Sequence, residues 1–114
     1  MPADDHADPI PVLPGTLELL ILRTLSLGPL HGYGIAQHIQ RLSNEIFRIG
    51  EGSLYPALQR MQLKGWVTSK WSQSGTGRRV RHYSLTPAGR RQLGIEIAEF
   101  GRIVDAITRV LQTE

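Results

Sequence analysis

At Gly65 the spacing of apolar residues changes from a helical period to a strand period, and no other feature of the 114 residues limits the fold as much. Before it, in EGSLYPALQRMQLKG (51–65), Leu54, Leu58 and Met61 recur at i, i+4 and i+7 and share one stripe of a short helix. Gly52 and Ser53 fit an entry turn and an N-cap, Pro56 fits the first turn, and Gly65 fits the stop. After it, Trp66, Val67, Lys70 and Trp71 begin a strand of about seven residues, SQSGTG (72–77) makes a turn, and RRVRHYSL (78–85) returns. On the return strand Val80, His82 and Ser84 share one face, and Arg79, Arg81, Tyr83 and Leu85 share the other. The expected unit is a helix that runs straight into a hairpin.

Two more helices precede it. LELLILRTLSL (17–27) is apolar on nearly every side; a strand is conceivable, but its length and lack of β-branching favour a buried helix, ended by Gly28-Pro29. Pro14-Gly15-Thr16 ahead of it is a breaker followed by a cap. Leu30 to Gly34 reads as a compact turn, and a second helix spans about Tyr33 to Leu42 with Ile35, Ile39 and Leu42 on one stripe. Ser43-Asn44-Glu45 breaks that pattern, and Ile46, Phe47 and Ile49 suggest a very short strand. Helix, helix, helix, hairpin is a winged helix-turn-helix, so the fold class is mainly α with one small β-hairpin. Thr86-Pro87 then starts a last helix, Thr as N-cap and Pro at the first position, running to about Gln112. Leu93, Ile97, Phe100, Val104, Ile107 and Leu111 are spaced 4, 3, 4, 3, 4, an a/d seam of more than two heptads. A helix nearly 40 Å long exceeds what so small a core needs, so the seam is expected to pair with a second copy.

Charge narrows the function. The formal net charge is +3, yet residues 60–91 hold Arg60, Lys64, Lys70, Arg78, Arg79, Arg81, Arg90 and Arg91 with no acid, while residues 1–14 hold three Asp and no Lys or Arg. A one-signed block of that kind points to a polyanion, ahead of a phosphate-bearing ligand or anionic lipid. Arg78, Arg79 and Arg81 on a hairpin suit phosphate or a minor groove, and Arg60 and Lys64 suit phosphate. Ser53 and Gln59 offer hydrogen bonds to base edges, and Tyr55 suits a phosphate or a thymine methyl. The absence of cysteine removes disulfides, thiol catalysis and thiolate metal sites. His6, His31, His38 and His82 come with no carboxylate pair, and Gly28, Gly32 and Gly34 follow neither GxGxxG nor a P-loop, so no enzyme, metal or cofactor is expected. Asp4, Asp5 and Asp8 stand where a secretory signal is basic, and no apolar run reaches 18 residues, so a cytoplasmic protein without a membrane span is expected.

Four pieces in order carry a family resemblance: HGYGIAQHI (31–39), GSLYPALQRMQLKGWV (52–67), GRRVRHYSLTPAG (77–89) and the single long final helix. The chain resembles the PadR-like winged-helix transcriptional regulators, in the short form with one C-terminal helix. The resemblance implies a homodimer on double-stranded DNA, a pseudo-palindromic operator, and repression relieved by a small hydrophobic effector. It implies a recognition helix beginning at Gly52-Ser53-Leu54-Tyr55, which adds Pro56 to the DNA-binding set of Ser53, Tyr55, Gln59, Arg60, Lys64, Arg78, Arg79, Arg81 and His82. It also implies that the final helix packs on its mate, with any effector pocket along the same seam. The chain departs from the family in having Phe100 as the only aromatic of that helix, Gln62 where glutamate is usual, and His82-Tyr83 where two aromatics are common. The expected division is a loose arm at 1–13, a DNA-binding unit at 14–85 and a dimerisation helix at 86–114. The rival reading is a winged-helix module that meets an acidic protein or RNA.

Overall fold

A computed structural model describes residues 15–73 and 75–113. The expected arm at 1–13 lies outside them. The order is α1 (Thr16–Leu25), β1 (Leu30–His31), α2 (Gly32–Leu42), α3 (Glu51–Leu63), β2 (Val67–Gln73), β3 (Arg79–Leu85) and α4 (Pro87–Leu111). The strands form one antiparallel sheet in the order β1-β3-β2. This is a winged helix carrying a long last helix. Ile21, Leu22 and Leu25 of α1 sit at its centre, with Ile35 and Ile39 of α2, Leu54, Leu58 and Met61 of α3, and Val67, Tyr83 and Leu93 closing the sides. Thr24 is the buried polar residue of α1, and its hydroxyl donates to the Leu20 carbonyl at 2.8 Å.

The turn from α3 into the wing follows from Gly65, whose φ of 78° places it in the left-handed region. Trp66 N–H reaches the Met61 carbonyl and Gly65 N–H the Gln62 carbonyl, both at 3.0 Å, the paired bonds of a Schellman ending. Thr86 caps α4 by accepting from Gly89 N–H at 3.0 Å, with Pro87 at the first position. No helix among the described residues is long and apolar enough to cross a membrane.

Several local expectations are corrected. Helix α3 starts at Glu51 with Gly50 as N-cap, so Ser53 lies inside the first turn and caps nothing. Pro56 is therefore in the second turn, where it removes a helical hydrogen bond; Gly52 and Pro56 are both exposed, so the freed Gly52 carbonyl meets solvent rather than core. Gly15, not Thr16, is the N-cap of α1. The segment Leu30–His31 is a strand, paired with Tyr83 and His82, and α2 begins directly at Gly32. The strand expected at 46–49 is only a single bridge residue at Phe47. Ser72 and Gln73 extend β2 instead of opening the turn. Leu42 is 72% exposed, because α2 ends there in a turn with Asn44 and Glu45 both at positive φ.

Candidate nucleic-acid interface

Helix α3 turns its apolar stripe inward, and that fixes what its other residues can face. Tyr55, Pro56, Gln59 and Leu63 are exposed. Tyr55, Gln59, Gln62 and Leu63 meet Arg81 and Tyr83 of the wing along a groove of about 490 Å³. A second depression of about 400 Å³ continues past Tyr55 to Tyr33, Trp71 and Arg79. Tyr55 packs against Gly32 so closely that a Cβ there would strike its hydroxyl. The N-terminus of α2, the front of α3 and one face of the wing thus border one continuous, aromatic and cationic surface.

Strand register decides which wing residues share that surface. Ser69 pairs with Tyr83, Trp71 with Arg81 and Gln73 with Arg79, so these six lie on one face. Burial raises the Tyr83 phenol above its ordinary value of 10.0, the nearby Arg81 charge opposes the rise, and Tyr55 adds to it, so the hydroxyl is neutral at physiological pH. Arg81 donates from Nε to Ser69 Oγ at 2.9 Å, and its guanidinium lies 5.5 Å from the Trp71 ring centroid. Arg79 stacks on the same ring at 4.9 Å. His82 is on the opposite face, 2.7 Å from Ser72 Oγ through Nδ1 and edge-on to His31 at 6.0 Å. Arg78 is exposed just ahead of β3.

Arg60 and Lys64 are placed differently. Arg60 donates from Nε to Glu18 Oε1 at 3.3 Å, and Lys64 Nζ lies 3.7 Å from Glu18 Oε2. Lys64 also sits over the Trp66 ring at 4.6 Å. Both cations lie on the edge of α3 nearest α1, away from the groove. Glu18, Trp71 and Ser69 are absent from the residue set read from sequence. Trp71 was legible as an aromatic set among cations on alternating strand positions; Glu18 carried no signal, because its partners stand more than forty residues away.

The seam residues of α4 separate into two sets. Leu93 belongs to the core. Ile97, Phe100, Val104, Ile107 and Leu111 are between 41% and 78% exposed, an apolar strip that nothing among the described residues covers. Where α4 passes the start of α1, Glu18, Glu96, Glu99, Phe100 and Ile103 line a groove of about 400 Å³. No group of three or more His, Cys, Asp or Glu able to hold a metal occurs among the described residues.

Comparison with known proteins agrees with this geometry. The family described as "Transcriptional regulator PadR-like family" matches residues 21–95. An uncharacterized 37.1 kDa transposon protein of Streptomyces fradiae is 40% identical over 75% of this chain, which spans only 23% of that protein. The negative transcriptional regulator PadR of Bacillus subtilis is 27% identical over 68% of this chain and 42% of its own length. A solved PadR family transcription regulator from Clostridium difficile superposes with a TM-score of 0.73 at 33% identity, covering 85% of this chain and 99% of that one.

Proposed function

Because the chain belongs to the PadR-like family of transcriptional regulators, a family of DNA-binding proteins rather than enzymes, we propose that it binds a two-fold-related DNA site as a homodimer and represses the adjoining gene. The observation that carries this reading is the face shared by α3 and the wing. The neutral Gln59 amide and the Tyr55 ring stand beside Arg79 and Arg81 along the two joined depressions, Ser53 and Arg78 are exposed on the same two elements or just ahead of them, and no acid lies between residues 60 and 91. Base edges call for the first kind of group and phosphates for the second. In this reading α3 enters the major groove, with Pro56 at its exposed surface, the wing arginines hold the flanking backbone or minor groove, and Arg60, Lys64 and His82 sit at the margin. The winged-helix unit at 14–85 holds DNA, and the helix at 86–114 sets the spacing of the two half-sites. Repression is the role named for the Bacillus subtilis relative, and it is proposed here by that likeness.

The uncovered strip on α4 supports the dimer, since monomers rarely leave so continuous an apolar strip in water. A small hydrophobic effector would bind between the paired strips. Phe100 is the only aromatic there, so aliphatic contact rather than flat ring stacking would hold it.

Binding of a labelled palindromic duplex from the protein's own upstream region, titrated against salt and against scrambled duplexes, tests the function. The expected result is sequence preference with a steep salt dependence. Equal affinity for every duplex would sink specific regulation and favour the RNA or acidic-protein reading. For the dimer, Ile97→Asp is expected to give a monomer in light scattering, and an unchanged mass refutes the seam.

A further inference from the structure

The wing carries a connected set of contacts that DNA binding as proposed above does not by itself require. Gln62, near the end of α3, donates from Nε2 to Ser69 Oγ at 3.0 Å. Arg81 donates to the same oxygen at 2.9 Å. A hydroxyl oxygen has two lone pairs and can accept both bonds at once. Arg81 and Arg79 then share the Trp71 ring, at 5.5 and 4.9 Å. Five side chains from α3, β2 and β3 are therefore joined in series: Gln62, Ser69, Arg81, Trp71, Arg79. Trp71 remains 56% exposed and belongs to no part of the buried core, so core packing does not account for a tryptophan there.

We propose that Trp71 is a positioning residue for DNA binding: it holds the Arg79 and Arg81 guanidinium groups as a preformed pair, and Ser69 locks that pair to the end of the recognition helix. The inference rests on the reading that α3 and the wing bind duplex DNA together. Two like charges two residues apart on one face of the same strand repel each other and sample many rotamers. A shared ring face offsets part of that repulsion and removes rotamers before DNA arrives. Less ordering is then left to occur on binding. Pairing with β1 and the buried Val67 and Tyr83 anchor the base of the wing, and the Ser69 bonds add a direct tie between the end of α3 and the strand pair that carries Arg79 and Arg81.

The test is a double-mutant cycle on the palindromic duplex, with thermal melting of each variant as a control. Trp71→Ala is expected to weaken binding about five- to tenfold, and Trp71→Phe to restore most of that loss. The salt slope stays at the wild-type value, because no cation has been removed. Within the Arg79→Ala/Arg81→Ala background, Trp71→Ala is expected to cost nothing further. Ser69→Ala, which removes both bonds at a half-buried position whose donors can turn to solvent, is expected to weaken binding about two- to threefold with little change in melting. Wild-type affinity in Trp71→Ala overturns the proposal. So does an equal loss in both backgrounds, which would mean that Trp71 touches DNA itself. Failure of the regulator reading shows in the unmutated chain, as absence of sequence preference; the cycle is then run on any duplex the chain binds, with the same outcomes.

Discussion

Helix α3 and the wing each bring two well-placed cations to the same basic run, and the fold treats them in opposite ways. Arg60 and Lys64 converge on one carboxylate, Glu18, whose side chain is 13% exposed. Arg79 and Arg81 converge on a ring, Trp71, which holds them without neutralising them. An ion pair screens a cation from a phosphate, whereas a π face leaves its charge available. Of eight basic residues in one acid-free stretch, the two on the helix are already partly satisfied by an acid from outside that stretch. The lesson is that the charge left free for a polyanion is set by what lies across the fold, and under the proposed DNA-binding reading it is concentrated on the wing.

The largest effect comes from removing the frame on which both pairs of cations depend. A Cβ at Gly89 would land on the Trp66 carbonyl oxygen and press into Leu85. That carbonyl accepts from Thr86 N–H at 3.0 Å, so the junction of α3, the wing and α4 must move. Gly89→Ala is expected to cost about 3 kcal/mol of stability, measured as a shift of the urea midpoint. Next comes Arg79→Ala, which should weaken binding about tenfold on every duplex and lower the salt slope by about one. Arg60→Ala should lower affinity only about two- to threefold and the slope by less than one, since Glu18 has already screened that charge. Equal slopes for the two variants would break the comparison. Gln59→Ala sharpens it from the other side: under the proposed reading the helix reads rather than holds, so preference at one base pair of each half-site should fall about tenfold with the slope unchanged. If the preference survives, the reading face lies elsewhere on α3.

The fold was legible wherever a pattern was local and repeated. The three-residue stripe at Leu54, Leu58 and Met61, the switch of period at Gly65 and the Thr86-Pro87 start each announced themselves within a few residues, and each stands in the structure. What was lost depended on partners far along the chain. Leu30–His31 looks like a turn, because its only claim to be a strand is pairing with Tyr83 and His82. Leu42 keeps a helical spacing, yet the left-handed residues after it end the helix before anything covers it. Pro56 suggested a first turn because proline is usually harmless there, but an exposed carbonyl makes the second turn nearly as tolerable. The candidate interface divides in the same way. That α3 and the wing form one face was readable from their order. That Arg60 and Lys64 answer to Glu18, while Arg79 and Arg81 answer to Trp71, required the packing of α1 on α3 and the register of β2 on β3.

Glu18→Gln gives the smallest expected effect and the most direct reading of the comparison, because it should move stability and affinity in opposite directions. Glu18 lies in the first turn of α1, where the exposed amide ends favour a negative charge, and it faces two cations of α3. Removing its charge gives up all three attractions, and solvent screening holds the loss to about 1 kcal/mol. The same change releases Arg60 and Lys64 from their acid and raises the net charge by one. Affinity for any duplex should therefore rise about two- to threefold, with a steeper salt slope and the same sequence preference. A variant that melts earlier but binds DNA more tightly fits a carboxylate that restrains cations. One that melts earlier and binds less tightly would mean that Glu18 holds α3 in its reading position, and the helix cations would then have to be counted with those of the wing.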